Sequence, residues 1–243
     1  MTELRRNRFA TTQWSIVRAA GHHSSSAARA AMEDLCRIYW LPVYAFIRRK
    51  GHSPTNAEDL TQAFFLHLLE SEFVKSADQE RGRFRSFLLK SVSNFLAADH
   101  RSQTAEKRGG DRTLLSLDFE SGEHQYHQLE SDSISADQLF ERRWAMTLLQ
   151  NVAAMLRSEY EQRNHGTMFQ LLEPHINQDA ARIPYADLCP RLSMSEDAIK
   201  QAVRRLKLRY RELLRSEIAS TVDSVDEVDD ELRQLMRILS NCN

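Results

Sequence analysis

Ile183-Pro-Tyr-Ala-Asp-Leu-Cys-Pro-Arg-Leu-Ser-Met-Ser-Glu-Asp-Ala-Ile-Lys200 holds two helical patterns separated by a short polar turn. Pro184 suits the first position of a helix, where its missing N–H costs nothing. Ala186 is small where two helices would cross, and Leu188 and Leu192 share an inward face. Ser195 can cap a second helix, whose first turn carries Glu196 and Asp197 in favourable alignment with the helix dipole. Ile199, Val203, Leu206, Tyr210 and Leu213 then recur at three- and four-residue steps and predict a buried stripe. Burying that stripe turns Lys200, Gln201, Arg204 and Arg205 outward. The pattern predicts a helix-turn-helix whose second helix enters a DNA major groove, with arginine and lysine able to bond guanine edges and glutamine adenine. Pro190 falls late in the first helix, where it removes one hydrogen bond and should kink or shorten it.

Outward from this motif the chain continues to read as helix. Only 7 glycines and 5 prolines punctuate 243 residues, and Leu35, Ile38, Leu41, Val43 and Phe46 form a first apolar stripe, with Pro42 expected to end a turn. Ala57, Leu60, Phe64 and Leu68 form a second, and Leu88, Val92 and Phe95 a third. Phe140, Trp144, Leu148, Val152 and Met155 form a fourth. Residues 109–135 lack such periodicity and carry Gly109-Gly110, Ser121-Gly122 and the serines of 131–135, the composition of a linker. The expected fold is therefore all-α: two small helical domains, 9–108 and 136–239, joined by a long linker. The three cysteines, Cys36, Cys189 and Cys242, are far apart and lack metal-ligand spacing, so free thiols in a reducing compartment are expected. No apolar run approaches a membrane span and no leader-like segment opens the chain, which predicts a cytoplasmic protein with no membrane association. No nucleophile–base pair, phosphate loop or metal cluster stands out, so neither catalysis nor a cofactor is expected.

Charge is distributed unevenly although the formal net charge is −1. Arg81, Arg83, Arg85, Lys90, Arg101, Lys107 and Arg108 make one basic segment, and the seven bases from Lys200 to Arg215 make another. Acidic stretches follow each: Asp118 to Asp137, and Glu217 to Glu231 without one base. Two basic segments set off by acid fit either two local DNA contacts or two solvated helix faces. In Ala57-Glu-Asp-Leu-Thr-Gln-Ala-Phe-Phe-Leu-His-Leu-Leu69, burial of Leu60, Phe64 and Leu68 leaves Glu58, Asp59, Gln62 and Leu66 as a mixed outer strip suited to docking on another protein. Downstream, Lys90, Asn94, Ala97 and Arg101 fall on one helical face opposite Leu88, Val92 and Phe95. Small, polar and basic residues there suit close approach to single-stranded DNA.

The first of these motifs resembles the polymerase-binding helix of sigma-70-family proteins. Phe84-Arg-Ser-Phe-Leu-Leu through Asn94 to Asp99 and Arg101 resembles their promoter-melting and minus-10-reading segment, and Tyr185 to Leu214 is similar to their minus-35-reading domain. Two domains with no intervening third resemble the extracytoplasmic-function group. Thr12-Gln-Trp-Ser-Ile-Val, Tyr39-Trp-Leu-Pro-Val-Tyr, Lys107-Arg-Gly-Gly and Thr221-Val further resemble its planctomycete-type branch. The resemblance implies that Glu58, Asp59, Gln62 and Leu66 meet core RNA polymerase, and that Arg83, Arg85, Lys90, Asn94 and Arg101 engage the melted minus-10 strand. Lys200, Gln201, Arg204 and Arg205 would read the minus-35 element. Promoter DNA and core polymerase are the implied partners, with an anti-sigma factor or regulatory kinase as further ones, and the acidic connector is expected inside the polymerase cleft. Three features depart from the pattern: Phe87 stands where tryptophan is frequent, Pro190 interrupts the first reading helix, and the linker is long. A helix-turn-helix regulator acting without polymerase is the alternative, and it leaves the Glu58/Asp59/Gln62 strip and the first basic segment without a role.

Overall fold

A computed structural model describes residues 26–70, 83–103, 117–129, 134–176, 183–222 and 225–240. The regular elements among them are helical: α1 (Ser26–Arg49), α2 (Pro54–Glu70), α3 (Phe84–Gln103), α4 (Phe119–Leu129), α5 (Ala136–Gln162), α6 (Gly166–Leu172), a 3-10 turn at Glu173–His175, α7 (Tyr185–Leu192), α8 (Glu196–Ala219) and α9 (Val225–Ser240). The chain divides into two compact units, one of Met1–Thr147 with Ile218–Asn243, the other of Leu148–Glu217.

In the first unit α1 is the central element. Leu35, Cys36, Ile38, Tyr39, Leu41 and every residue from Val43 to Ile47 are buried, so the helix is covered nearly all round. Pro42 lies inside α1 rather than ending it. The hydrogen bond it forgoes is one among many in a long buried helix, and packing holds the rest. α1 closes at Gly51, whose φ of +96° is a left-handed conformation that costs glycine little. Ser53 then caps α2, its hydroxyl accepting from the Asn56 N–H at 3.3 Å, with Pro54 in the first turn. Ala57, Leu60, Phe64, Phe65 and Leu68 pack inward from α2, and Phe84, Leu88 and Val92 from α3.

The expected linker contains an ordered helix. Asp118 caps α4 by accepting from the Ser121 N–H at 3.0 Å. Gly122, taken from the sequence as a sign of irregular chain, lies inside α4 where a Cβ would sit 2.7 Å from the Trp40 ring. Close approach to α1, not flexibility, requires glycine here. Phe119 packs edge-on against Trp40 at 5.5 Å and near Tyr44 at 5.5 Å. Glu123 accepts from the Tyr44 hydroxyl at 2.5 Å and from Arg48 Nη2 at 2.6 Å, and the Arg48 guanidinium lies over the Tyr126 ring. The carboxylate of Glu123 is therefore engaged within the unit. Residues 104–116 and 130–133 of the connector, with the Lys107-Arg-Gly-Gly motif, lie outside the described residues, as does Thr12-Gln-Trp-Ser-Ile-Val.

α5 opens on a reciprocal cap: the Gln138 N–H donates to Ser135 Oγ at 3.2 Å and the Ser135 N–H to Gln138 Oε1 at 2.9 Å. Its first turns, with Leu139, Phe140 and Trp144 buried, belong to the first unit, and its later turns to the second. The compact units thus differ from the expected 9–108, 109–135 and 136–239, because α4, the start of α5 and α9 all join the first. In α9 Val228, Leu235 and Ile238 are buried.

The second unit is built from the rest of α5, α6, the 3-10 turn, α7 and most of α8. Val152, Leu156, Phe169, Leu172, Leu188, Ile199, Val203 and Leu206 form its core. Met155, expected in the stripe, is 37% exposed, and Leu156 takes the inward position instead. Arg209 donates twice to Glu159, from Nε at 2.9 Å and from Nη2 at 2.5 Å, tying α8 to α5. Cys36 and Cys189 are free thiols, and Cys242 is outside the described residues.

Candidate nucleic-acid interface

On α2 the buried positions leave a strip of Glu58, Asp59, Gln62 and Leu66 at the surface, with Asp59 exposed and the other three half-buried. Steps of three and four residues bring them to one face. This face is acidic at its N-terminal end and apolar at Leu66, a surface that can take basic and aliphatic side chains together.

On α3 the surface opposite Leu88 and Val92 presents Lys90, Asn94 and Ala97, all exposed. Arg101 is in the same helix, but its side chain lies outside the described residues. Phe95 is half-buried and stacks edge-on against Phe64 at 5.6 Å, fixing α3 to α2. Phe87 packs against Phe84 at 6.0 Å, so the aromatic position at the head of α3 is filled. Beside this face, Lys50 and His52 from the α1–α2 turn look across an open hollow to Ser93, Ala97 and His100. An ammonium, an amide and small side chains on an open surface can approach a phosphodiester chain closely.

The head of α3 departs from expectation. Arg85, assigned by resemblance to the DNA face, is 2% exposed. Its guanidinium lies 4.5 Å over the Trp144 ring, with Nε 3.1 Å from Glu231 Oε1 and Nη1 3.9 Å from Glu141 Oε1. A cation so placed is spent inside the fold, and we assign it to structure rather than to DNA. Arg83 is different, since its side chain keeps 35% exposure while its Nε lies 2.8 Å from Glu231 Oε2. Glu231, on α9, is 1% exposed. Burial pushes its carboxyl up, and the guanidiniums of Arg85 and Arg83 oppose that shift. Removing Arg85 leaves the buried Glu231 carboxylate without its nearest buried counter-charge, at a cost of about 3–5 kcal/mol. In the sequence Trp144 reads only as a core position and Glu231 only as the end of an acidic stretch, and nothing there singles out Glu141. The available signal was the charge complement between the basic segment at 81–108 and the acidic one at 217–231, and spacing alone does not say that the two meet.

In the second unit the local chemistry of the helix-turn-helix is as follows. Pro184 is the N-cap of α7 rather than its first helical residue, with φ −54° and ψ 144°. Its carbonyl accepts from the Asp187 N–H at 3.0 Å. α7 includes Pro190 in its last turn and ends at Ser193, whose φ of +53° is left-handed. The Met194 N–H reaches back to the Cys189 carbonyl at 3.2 Å. α7 thus runs for eight residues and continues past Pro190 to Leu192. Ser195 caps α8, its Oγ accepting from the Ala198 N–H at 3.2 Å. With Ile199, Ala202, Val203 and Leu206 buried, Lys200, Gln201, Arg204 and Arg205 are all exposed. Lys200 leans on Glu196 at 2.9 Å and on Asp197 at 3.6 Å, and the Glu196 hydrogen bond raises its pKa. An ammonium already held by carboxylates is a weaker base reader than the two arginines one turn on.

Residues 35–106 match the family model described as Sigma-70 region 2. The match supports a sigma-70 family sigma factor. No curated protein and no solved structure matches the chain significantly. Core RNA polymerase and promoter DNA are the partners of such a sigma factor. The matched segment contains the whole of α2 and α3, so the α2 strip and the α3 face both fall within it. Among the described residues, no group of histidine, cysteine, aspartate and glutamate could hold a metal, and no helix is long and apolar enough to cross a membrane.

Proposed function

We propose that the chain is an alternative sigma factor of the extracytoplasmic-function group, in its planctomycete-type branch. The outer strip of α2, Glu58, Asp59, Gln62 and Leu66, docks on core polymerase. The α3 face of Lys90, Asn94 and Arg101, with Arg83 at its head, engages the opened minus-10 strand. α8 enters the major groove of the minus-35 element through Lys200, Gln201, Arg204 and Arg205. An anti-sigma factor or kinase would set when this happens. In functional terms 9–108 is the polymerase and minus-10 module, 109–135 the connector and 136–239 the minus-35 module.

One observation carries this reading: the sigma-70 region 2 match encloses both the α2 strip and the α3 face. The exposed basic face of α8 supplies a second contact of the kind such a factor needs. The test is co-purification with core polymerase, followed by transcription in vitro on a random promoter library. A shared sequence pattern at two spaced elements is expected among the transcribed templates. Failure to bind core would overturn the proposal.

A further inference from the structure

The C-terminal helix meets the head of α3 through a buried carboxylate, and nothing in the promoter-binding role requires that contact. Glu231 bridges Arg83 and Arg85 at 2.8 and 3.1 Å. Asp229 and Asp230, the two residues before Glu231 in α9, are exposed, whereas Glu231 itself is turned into the fold against the two arginines. We infer that α9 is an intramolecular occupant of the basic site at the head of α3, so that Glu231 and DNA phosphate compete for Arg83. This deepens the proposed function and rests on its reading of Arg83 as a phosphate contact.

The geometry favours exchange over simple structural bracing. Arg83 is the accessible partner, with its side chain 35% exposed, so an incoming phosphate can reach it while Glu231 is still in place. Arg85 has further support, since the Trp144 ring and Glu141 remain beside it when Glu231 leaves. The departure of α9 therefore frees one arginine for DNA without stranding the other. A phosphodiester, like a carboxylate, can offer two anionic oxygens to a guanidinium, so it can replace Glu231 as the charge partner of Arg83. The free chain is thereby held at low affinity for DNA at large, and a high local concentration of phosphate, as at a promoter held by polymerase, displaces the helix.

The test uses the full chain, with a fluorescein-labelled mixed-sequence single-stranded oligonucleotide followed by anisotropy over a range of salt. Glu231→Gln, which keeps the shape and removes the charge, is expected to raise affinity roughly five- to tenfold. It should steepen the salt slope by about one unit as Arg83 joins the phosphate contacts. Arg83→Gln in the Glu231→Gln background is expected to abolish that gain. If Arg83→Gln alone weakens binding while Glu231→Gln changes nothing, the competition is refuted and the DNA contact stands. If neither substitution has any effect, the Arg83 contact fails and the competition falls with it. Should Glu231→Gln cost the fold, the unmodified chain decides the matter by hydrogen exchange. Amides of 225–240 are expected to exchange faster when the oligonucleotide is added, and unchanged protection overturns the inference.

Discussion

Asp59 and Phe64 sit one turn and a little apart on α2 and have opposite work. Phe64 is 1% exposed in the core, so Phe64→Ala should destabilise the first unit by about 3–5 kcal/mol. Asp59 is exposed, so Asp59→Arg should leave helicity and Tm near those of the unmodified chain while weakening co-purification with core polymerase. Gln62→Ala should do the same to a smaller degree. Full retention of core binding by both would remove the α2 strip from the interface. Glu123 gives a second residue-level outcome. The Arg48 hydrogen bond holds its carboxyl well below the usual carboxylate range, at about 2. A carboxylate with a depressed folded pKa contributes stability that is fully present above the ordinary glutamate value of about 4.5 and is lost as pH falls toward 2. Urea unfolding at stepped pH should therefore show Glu123→Gln less stable at neutral pH by on the order of 1–3 kcal/mol, with the gap closing below pH ~4. A gap that stays constant with pH would mean that the carboxylate charge contributes nothing there.

Among the elements, α8 carries the base-reading prediction. Arg204 and Arg205 are exposed next to the buried Val203 and Leu206, and Lys200 is already drawn to Glu196. Arg204→Ala or Arg205→Ala should cost about 1–3 kcal/mol in duplex affinity if the side chain reads a base, with preference relaxed at one minus-35 position. If it holds a phosphate instead, all sequences should weaken alike and the salt slope should fall by about one unit. Affinity selection over a degenerate minus-35 pool separates the two, and no change in either quantity would take α8 out of the groove. This element was legible in the sequence because burial at Ile199, Val203 and Leu206 repeats at helical spacing and forces the neighbouring bases outward. α4 was not, because its glycine and serines read locally as loop. What makes it a helix is non-local: the Asp118 cap, the Trp40 ring against Gly122, and Glu123 reaching Tyr44 and Arg48. The buried fate of Arg85 was hidden for the same reason, since its partners Trp144, Glu141 and Glu231 lie far away in sequence. Pro42 was misjudged because a rule about isolated helices was applied to one enclosed by its unit.

At the scale of the whole molecule, the two proposed DNA contacts lie in different compact units, which makes their roles separable by experiment. The α3 face offers Lys90 and Asn94 with the small Ala97 between turns, chemistry for an unpaired strand and its phosphates. The α8 face offers a capped helix with arginines in its third turn, chemistry for a duplex groove. Asn94→Ala removes an exposed amide and touches no core, so it should impair strand opening in the polymerase complex while duplex minus-35 binding survives. Arg204→Ala should show the reverse order of effects, losing duplex affinity first and opening only in proportion to occupancy. Permanganate footprinting of the melted region, measured at saturating complex and set against duplex affinity for each variant, gives both quantities on one sample. Parallel loss of both activities in both variants would mean that opening and reading are one event rather than two. Unchanged activity in both would count against promoter contact by Asn94 and by Arg204.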